Sequence, residues 1–474
     1  MALNAQVLSS YKKIDEAYID TLLNKEIVRN QKKIVVLDDD PTGVQTVHDI
    51  SVYTNWEKDT IRQGFEESNN LFYILTNSRG FTTEQTTEAH NAIAEVVDEV
   101  AKETGREYIF ISRSDSTLRG HYPLETELLK ANYEKNTGKT IDGEILCPFF
   151  KEGGRFTIDD VHYVKYGEEL IPANETEFAK DKTFGYTAAT MPEYVEEKTK
   201  GAYKASDVTC ISLEEIHDMD IDGIQKKLME VRNFNKIIVN AVDYADVKVF
   251  CVALYRAMAA GKVFMFRTAA AIVKVMGGVT DQPLLTREKM VVNETENGGI
   301  IVVGSHTDKT TRQVGELKKL TDVEFIELDA TLVKDDAAFE AEVQRCLDKE
   351  EACIRAGKTV CCYTTRALIT ADTGDKEDEL RLSVKISDAV QSLVGRLKIT
   401  PGFVIAKGGI TSSDVGTKAL AVKKANVLGQ IKPGIPVWQT GEESRFPLTP
   451  YVIFPGNVGE DTTLREAVEV LIQK

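Results

Sequence analysis

The sequence predicts an α/β protein of two domains, each a mostly parallel sheet flanked by helices, with an N-terminal helical extension. Three observations carry this. Short apolar runs alternate with amphipathic stretches along nearly the whole chain. A Gly- and Asn-rich stretch with little periodicity, 277–299, interrupts that alternation once. The length, 474 residues, suits two domains. The expected division is 1–30 for the extension, 31–280 for the first domain and 298–474 for the second.

In the extension, Val7, Tyr11, Ile14, Tyr18, Leu22 and Leu23 fall mostly at three- or four-residue spacing and predict a helix over 1–30. The first domain opens with KIVVLDDDPTG at 33–43. Its β-branched run reads as a buried parallel strand that ends on Asp38, Asp39 and Asp40, and Pro41 and Gly43 force a turn. Strands are expected at 50–53, 71–75, 108–111, 145–147, 236–240 and 263–266. A helix is expected from Thr82, whose hydroxyl suits an N-cap, and another over 246–260. Residues 151–205 are irregular, with GGRFTIDDVHYV as a hairpin candidate. The second domain opens with GIIVVGSHT, and strands are expected at 323–328, 359–363, 402–406 and 452–454. Helices are expected over 383–397 and 462–473.

Composition excludes several classes. A net charge of −17 does not favour a nucleic-acid partner, which requires clustered Lys and Arg. The seven cysteines show no CxxC spacing, so neither a zinc site nor a disulfide framework is expected, and a reducing cytoplasm is the expected location. The six histidines show no metal-ligand spacing, so no metal ligands are predicted. No window approaches 18 apolar residues, and no membrane span or signal core is predicted.

Ligands in open α/β sheets sit at the carboxyl ends of strands. Three such loops occur in the first domain: DDDPTG, TNSRG and SRSDSTLRG. They bring Asp38, Asp39, Asp40, Arg79, Arg113, Asp115 and Arg119 to one sheet edge. Arginine offers a planar fork for a carboxylate, and an aspartate accepts a hydroxyl proton. This set suits a small hydroxy acid. The second domain offers GSHT at 304–307, KGGITSSD at 407–414 and PGNVG at 455–459. Glycines let backbone N–H groups approach phosphate, and hydroxyls add donors. Lys407 is expected near a phosphate or in solvent. There is neither a GxxxxGK[ST] loop nor a full GxGxxG after a strand.

Two activities fit these residues. One is a kinase that grips an acid sugar in one domain and ATP in the other, with Mg2+ bridging the phosphates. The alternative is a hydrolase, because Asp38-x-Asp40-x-Thr42 resembles the opening motif of haloacid-dehalogenase-like phosphatases. That alternative lacks a later acidic pair and leaves the second domain idle.

DDDPTG, SRSDSTLRG, VVGSHT, KGGITSSD and PGNVG, in this order, resemble the four-carbon acid sugar kinase family. The resemblance runs from about Lys33 to the C-terminus. It implies ATP- and Mg2+-dependent phosphorylation of a tetronate or oxo-tetronate hydroxyl. It also implies an N-terminal acid-sugar domain and a C-terminal nucleotide domain, while the N-terminal extension, expected to pack on the body or on a partner subunit, allows a homodimer. It places substrate contacts on Asp39, Asp40, Arg79, Arg113, Ser114, Asp115 and Ser116, with Arg119 beside them. Nucleotide contacts fall on Ser305, Gly408, Gly409, Ile410, Thr411 and Gly456. Asp115, Asp39 and Asp40 are the candidate bases, with Asp115 first. The chain departs from the family at Pro41, where an aromatic is usual, and at Arg113, where lysine is usual. It also lacks a lysine in the closing PGNVG loop.

Overall fold

The computed structural model describes residues 2–292, 295–305, 307–366, 369, 376–456 and 458–473. His306 of GSHT and Asn457 of PGNVG lie outside the described residues. The chain forms two compact units, Met1–Gly43 with Asn55–Asp281 and Val44–Thr54 with Gln282–Lys474.

The first unit is built on seven strands: β1 Lys33–Asp38, β2 Leu71–Leu75, β3 Tyr108–Arg113, β4 Gly143–Cys147, β5 Thr209–Ile211, β6 Asn235–Val239 and β7 Phe264–Thr268. They run parallel in the order β5-β6-β4-β7-β3-β1-β2. Every residue of β1 is buried, as expected for a parallel strand covered on both faces. The register sets Asp38 opposite both Leu75 and Arg113. One acidic strand end thus lies beside one basic strand end. The chain steps from β1 to β2 on one side, then returns to β3 on the other. The carboxyl ends of β1 and β3 therefore flank a topological switch point, where such sheets bind ligands.

The extension differs from the expected helix over 1–30. Leu3–Asn4 pairs with Glu169–Pro172, and Ala5–Ser9 is a 3-10 turn. The helix α1 spans Glu16–Arg29, with the Asp15 carboxylate accepting from the Tyr18 N–H. An aspartate at this position favours starting a helix over continuing one. Ile19, Leu23 and Ile27 are buried. Lys248 and Arg256, from the helix α2 Tyr244–Ala259, pair with Asp20 at 2.7 Å and Glu26 at 3.2 Å.

The GGRFTIDDVHYV segment is a hairpin, Arg155–Ile158 against Val161–Tyr166. Asp159 and Asp160 sit at φ 48° and 63°, the left-handed pair of a type I′ turn. Glu169–Pro172 and Leu3–Asn4 complete a four-stranded antiparallel sheet.

The second unit has β8 Ile300–Val303, β9 Val323–Leu328, β10 Thr359–Thr364, β11 Val404–Lys407, β12 Lys424–Lys432, β13 Ile435–Thr440 and β14 Pro450–Phe454. The order β14-β11-β8-β10-β9 is parallel. β13 joins β14, β12 joins β13, and Ile50–Tyr53 joins β12, all antiparallel. Ile50–Tyr53, expected within the first domain's alternation, is thus a strand of the second unit. Here too the path from β8 goes to β9 on one side and later to β11 on the other, a second switch point. Ile301, Val303, Ile405, Val452, Phe454, Leu464 and Val468 form part of its core. No helix among the described residues is long and apolar enough to cross a membrane.

Candidate functional site

At the switch point of the first unit, opposite charges pair densely. Arg79 lies in the turn Ser78–Gly80 after β2. It grips Asp39 with two bonds, Nε to Oδ2 at 3.1 Å and Nη2 to Oδ1 at 2.6 Å, and reaches Asp40 through Nη1 at 3.1 Å. Arg113, the last residue of β3, donates Nη1 to Asp38 Oδ1 at 3.0 Å and lies 3.7 Å from Asp39. Asp40 also accepts from the N–H and hydroxyl of Thr42. Asp115 accepts from Arg119 Nε at 2.7 Å and from the Thr117 hydroxyl. Arg119 also lies 4.0 Å from Asp181.

Burial divides these carboxylates. Asp38 is 1% exposed. Burial pushes its pKa up to about 7, against the pull of Arg113. Burial also raises Asp39, with Arg79 opposing. Asp40 is held below the usual carboxylate range by Arg79 and Thr42, although burial acts the other way. Asp115 is held far below it by Arg79 and Arg119, again against burial. Asp115 therefore stays ionised at neutral pH, while Asp38 titrates near it. A Cβ on Gly43 would sit 1.9 Å from Asp38 Oδ2, so only glycine lets the turn close over that carboxylate.

The other expected substrate residues are deeper. Ser114 donates its N–H to the Thr268 carbonyl at 2.8 Å, and its side chain is buried. The Ser116 carbonyl faces His162 Nε2 at 2.7 Å, and Thr157 Oγ1 lies 2.9 Å from His162 Nδ1. A carbonyl only accepts, so Nε2 carries the proton and Nδ1 accepts from the threonine. Burial pushes this histidine down to about 4, and it acts as a neutral strut. Sequence reasoning overlooked two further members. Arg267 of β7 pairs with Glu125 and donates to the Arg119 carbonyl at 3.2 Å. Glu125 also accepts from the Ser78 hydroxyl at 2.6 Å. Glu125 lies five residues past the SRSDSTLRG loop, on the helix Leu124–Thr137, whereas Arg267 is remote in sequence and only the register of β7 beside β3 brings it to this edge.

The second unit's switch point carries hydroxyls. The Ser305 hydroxyl accepts from Thr310 at 3.1 Å and lies 3.4 Å from the Thr307 hydroxyl. Thr307 caps the helix α3 Asp308–Leu317 through the Thr310 N–H. Arg366 fixes this loop by donating Nη1 to the Ser305 carbonyl at 2.6 Å. Gly408 has φ 120°, which a side chain rarely adopts. A Cβ on Gly304 would meet Thr411 Oγ1 at 2.3 Å. Gly409 opens the short helix α4 Gly409–Asp414. Thr411 is buried, while Ile410 is 74% exposed. Lys407 lies neither in solvent nor with its ammonium at a loop surface. It is fully buried and donates to the carbonyls of Pro455 at 2.6 Å and Gly456 at 2.9 Å. Burial pulls its pKa down to about 7, and Lys309 adds to this.

The sugar-binding N-terminal domain family matches residues 34–276, and the nucleotide-binding C-terminal domain family matches residues 300–464. The chain belongs to the four-carbon acid sugar kinase family. Solved structures share the fold at low identity. Haemophilus influenzae protein HI1011 is 17% identical, with 92% of this chain and 100% of that one aligned and a TM-score of 0.59. A Salmonella typhimurium protein is 14% identical, with 92% and 98% aligned and a TM-score of 0.65. No curated protein matches the chain significantly. The first family domain thus contains the charged cluster, and the second contains the hydroxyl-lined loops. The phosphatase alternative is not supported. Asp38, its required nucleophile, is sealed beneath Gly43 and bound to Arg113.

Proposed function

We propose that the protein is an ATP-dependent kinase that phosphorylates a hydroxyl of a small acid sugar of the tetronate or oxo-tetronate type. One observation carries this reading. The sugar-binding domain collects guanidinium and carboxylate groups at its switch point, while the nucleotide-binding domain collects glycines and hydroxyls at its own. The first set suits a hydroxylated carboxylic acid, and the second suits phosphates.

Within this reading Asp115 is the group that accepts the hydroxyl proton. Its side chain is 11% exposed, whereas that of Asp39 is 2% exposed and bound twice to Arg79. A carboxylate held ionised is a weak base. Phosphoryl transfer through a loose transition state nevertheless requires little proton abstraction before the bond to phosphorus forms. Asp40, 17% exposed, would orient a neighbouring hydroxyl. Ser305, Gly408, Gly409, Thr411 and Gly456 would cradle the nucleotide's phosphates, and the exposed Ile410 offers an apolar surface to its base. Among the described residues no group of three or more His, Cys, Asp or Glu is arranged to hold a metal. Mg2+ in kinases is bound by substrate phosphates and water with one or two protein carboxylates, and no residue is assigned to it.

The test is a panel of tetronates and oxo-tetronates with ATP and Mg2+, scored for ADP release and for a phosphorylated product by phosphorus NMR. ADP formed in proportion to one acid is expected. Phosphate release from a phosphoester without ATP would reject the kinase in favour of a hydrolase.

A further inference from the structure

Five arginines gather around the sugar-side loops, and four have matching carboxylates. Arg79 has Asp39 and Asp40, Arg113 has Asp38, Arg119 has Asp115 and Arg267 has Glu125. Arg155, the first residue of the hairpin strand Arg155–Ile158, makes no ion pair with a described residue. Its Nε is buried and has no hydrogen-bond partner. The only hydrogen bond of its side chain among the described residues runs from Nη1 to the Gly153 carbonyl. Arg113 also has an unpartnered Nε, but its charge is already matched by Asp38.

Arg155 belongs to the same neighbourhood as the candidate base. Its guanidinium lies 5.4 Å from the centre of the Phe178 ring, and that of Arg119 lies 5.0 Å from the same centre. Arg119 in turn holds Asp115. Burial pulls the Arg155 pKa down, and Asp115 is the carboxylate that most opposes this. Arg155 as a whole is half-buried, so its charge is partly desolvated without an ion-pair partner, and a ligand carboxylate reaching its guanidinium would offset that cost.

We propose that Arg155 is the specificity-determining residue that takes the carboxylate of the acid sugar, presented by the 151–205 excursion beside Asp115 and Arg119. The assignment rests on the reading that the first unit binds an acid sugar. It lets that excursion tell acids from neutral polyols of the same length. Arg79 already spends all three of its nitrogens on Asp39 and Asp40, which leaves no free fork there.

The test is calorimetric binding of threonate, erythronate and the neutral polyol erythritol to the full-length protein, without nucleotide. Wild type, Arg155→Met and Arg155→Lys are compared. Methionine keeps an apolar stem of similar length, and an unchanged two-domain urea unfolding profile of each variant reports that the first unit is folded. Arg155→Met is expected to weaken the preferred tetronate at least thirtyfold, and Arg155→Lys to restore part of the loss. Affinity for erythritol should stay within about twofold in both. A tetronate loss under threefold in Arg155→Met overturns the proposal. So do equal losses in the two variants, or a wild type that binds no tetronate. A wild type that binds a tetronate but transfers no phosphate from ATP refutes the kinase reading alone, and the affinity ratios still judge Arg155.

Discussion

The two switch points are built alike in backbone and oppositely in chemistry. In the first unit, side chains carry the charge, and Asp38, Asp39 and Arg113 are almost wholly buried. In the second, the groups at the strand ends are hydroxyls, backbone and the cations Lys407 and Arg366, of which Lys407 is turned inward to hold the closing loop and Arg366 holds the Ser305 carbonyl. A compact carboxylate with several hydroxyls is told from its relatives by fixed, directional charges, which need matching carboxylates to be stable while buried. On the proposed reading the second site would meet a nucleotide that carries its own charge, and close approach of backbone N–H groups would suffice. The first site is therefore expensive to disturb in stability, and the second in ligand affinity.

The sharpest way to break this contrast is Arg113→Met. It leaves Asp38 buried without its cation, and breaking a buried pair costs about 3–5 kcal/mol. Urea unfolding should show that loss, while Arg113→Met with Asp38→Leu should recover much of it. A loss under about 1 kcal/mol would mean that the charged cluster is not a structural unit. Next is Gly304→Val, whose Cβ would collide with Thr411 Oγ1. ATP affinity should fall at least about tenfold, about 1.4 kcal/mol, with tetronate binding nearly unchanged. Equal loss of both ligands would erase the division of labour. Lys407→Met removes both loop bonds, and we expect a several-fold rise in the KM for ATP at unchanged KM for the acid.

The smallest effect concerns pH. Asp38 has its pKa raised to about 7 when folded, against about 3.9 in an unfolded chain. The folded state therefore binds more protons in that window, and this contribution to stability is full below about pH 4 and lost as pH rises to 7. Asp38→Asn removes the dependence. Relative to it, wild type should lose stability from pH 5 to pH 8 in parallel urea titrations. A wild type that instead gains over this range would show that Arg113 outweighs burial.

Much of this was legible because it is local. The apolar run of β1, the Thr82 cap, the Asp159-Asp160 turn and the strand-end loops each depend on residues close in sequence. So does the sorting of charge into one half and glycine with hydroxyl into the other. The β12–β13 hairpin was legible but unread: 424–432 alternates buried and half-buried residues throughout, the period of a strand with one covered face. The helix in the extension was misplaced because periodicity continued past the capping Asp15.

Sequence alone thus determined which chemistry each half owns, since strand ends, turns and residue types are set by short-range sterics and polarity. Only the tertiary structure decided who neutralises whom. Register put Asp38 against Arg113, topology brought Arg267 and Glu125 to the same edge, and burial separated Asp115 from Asp38 in acidity. It also turned Lys407 inward and left Arg155 without an ion pair among the described residues. Pairing and desolvation depend on distances between residues far apart in the chain, and no spacing in the sequence encodes them.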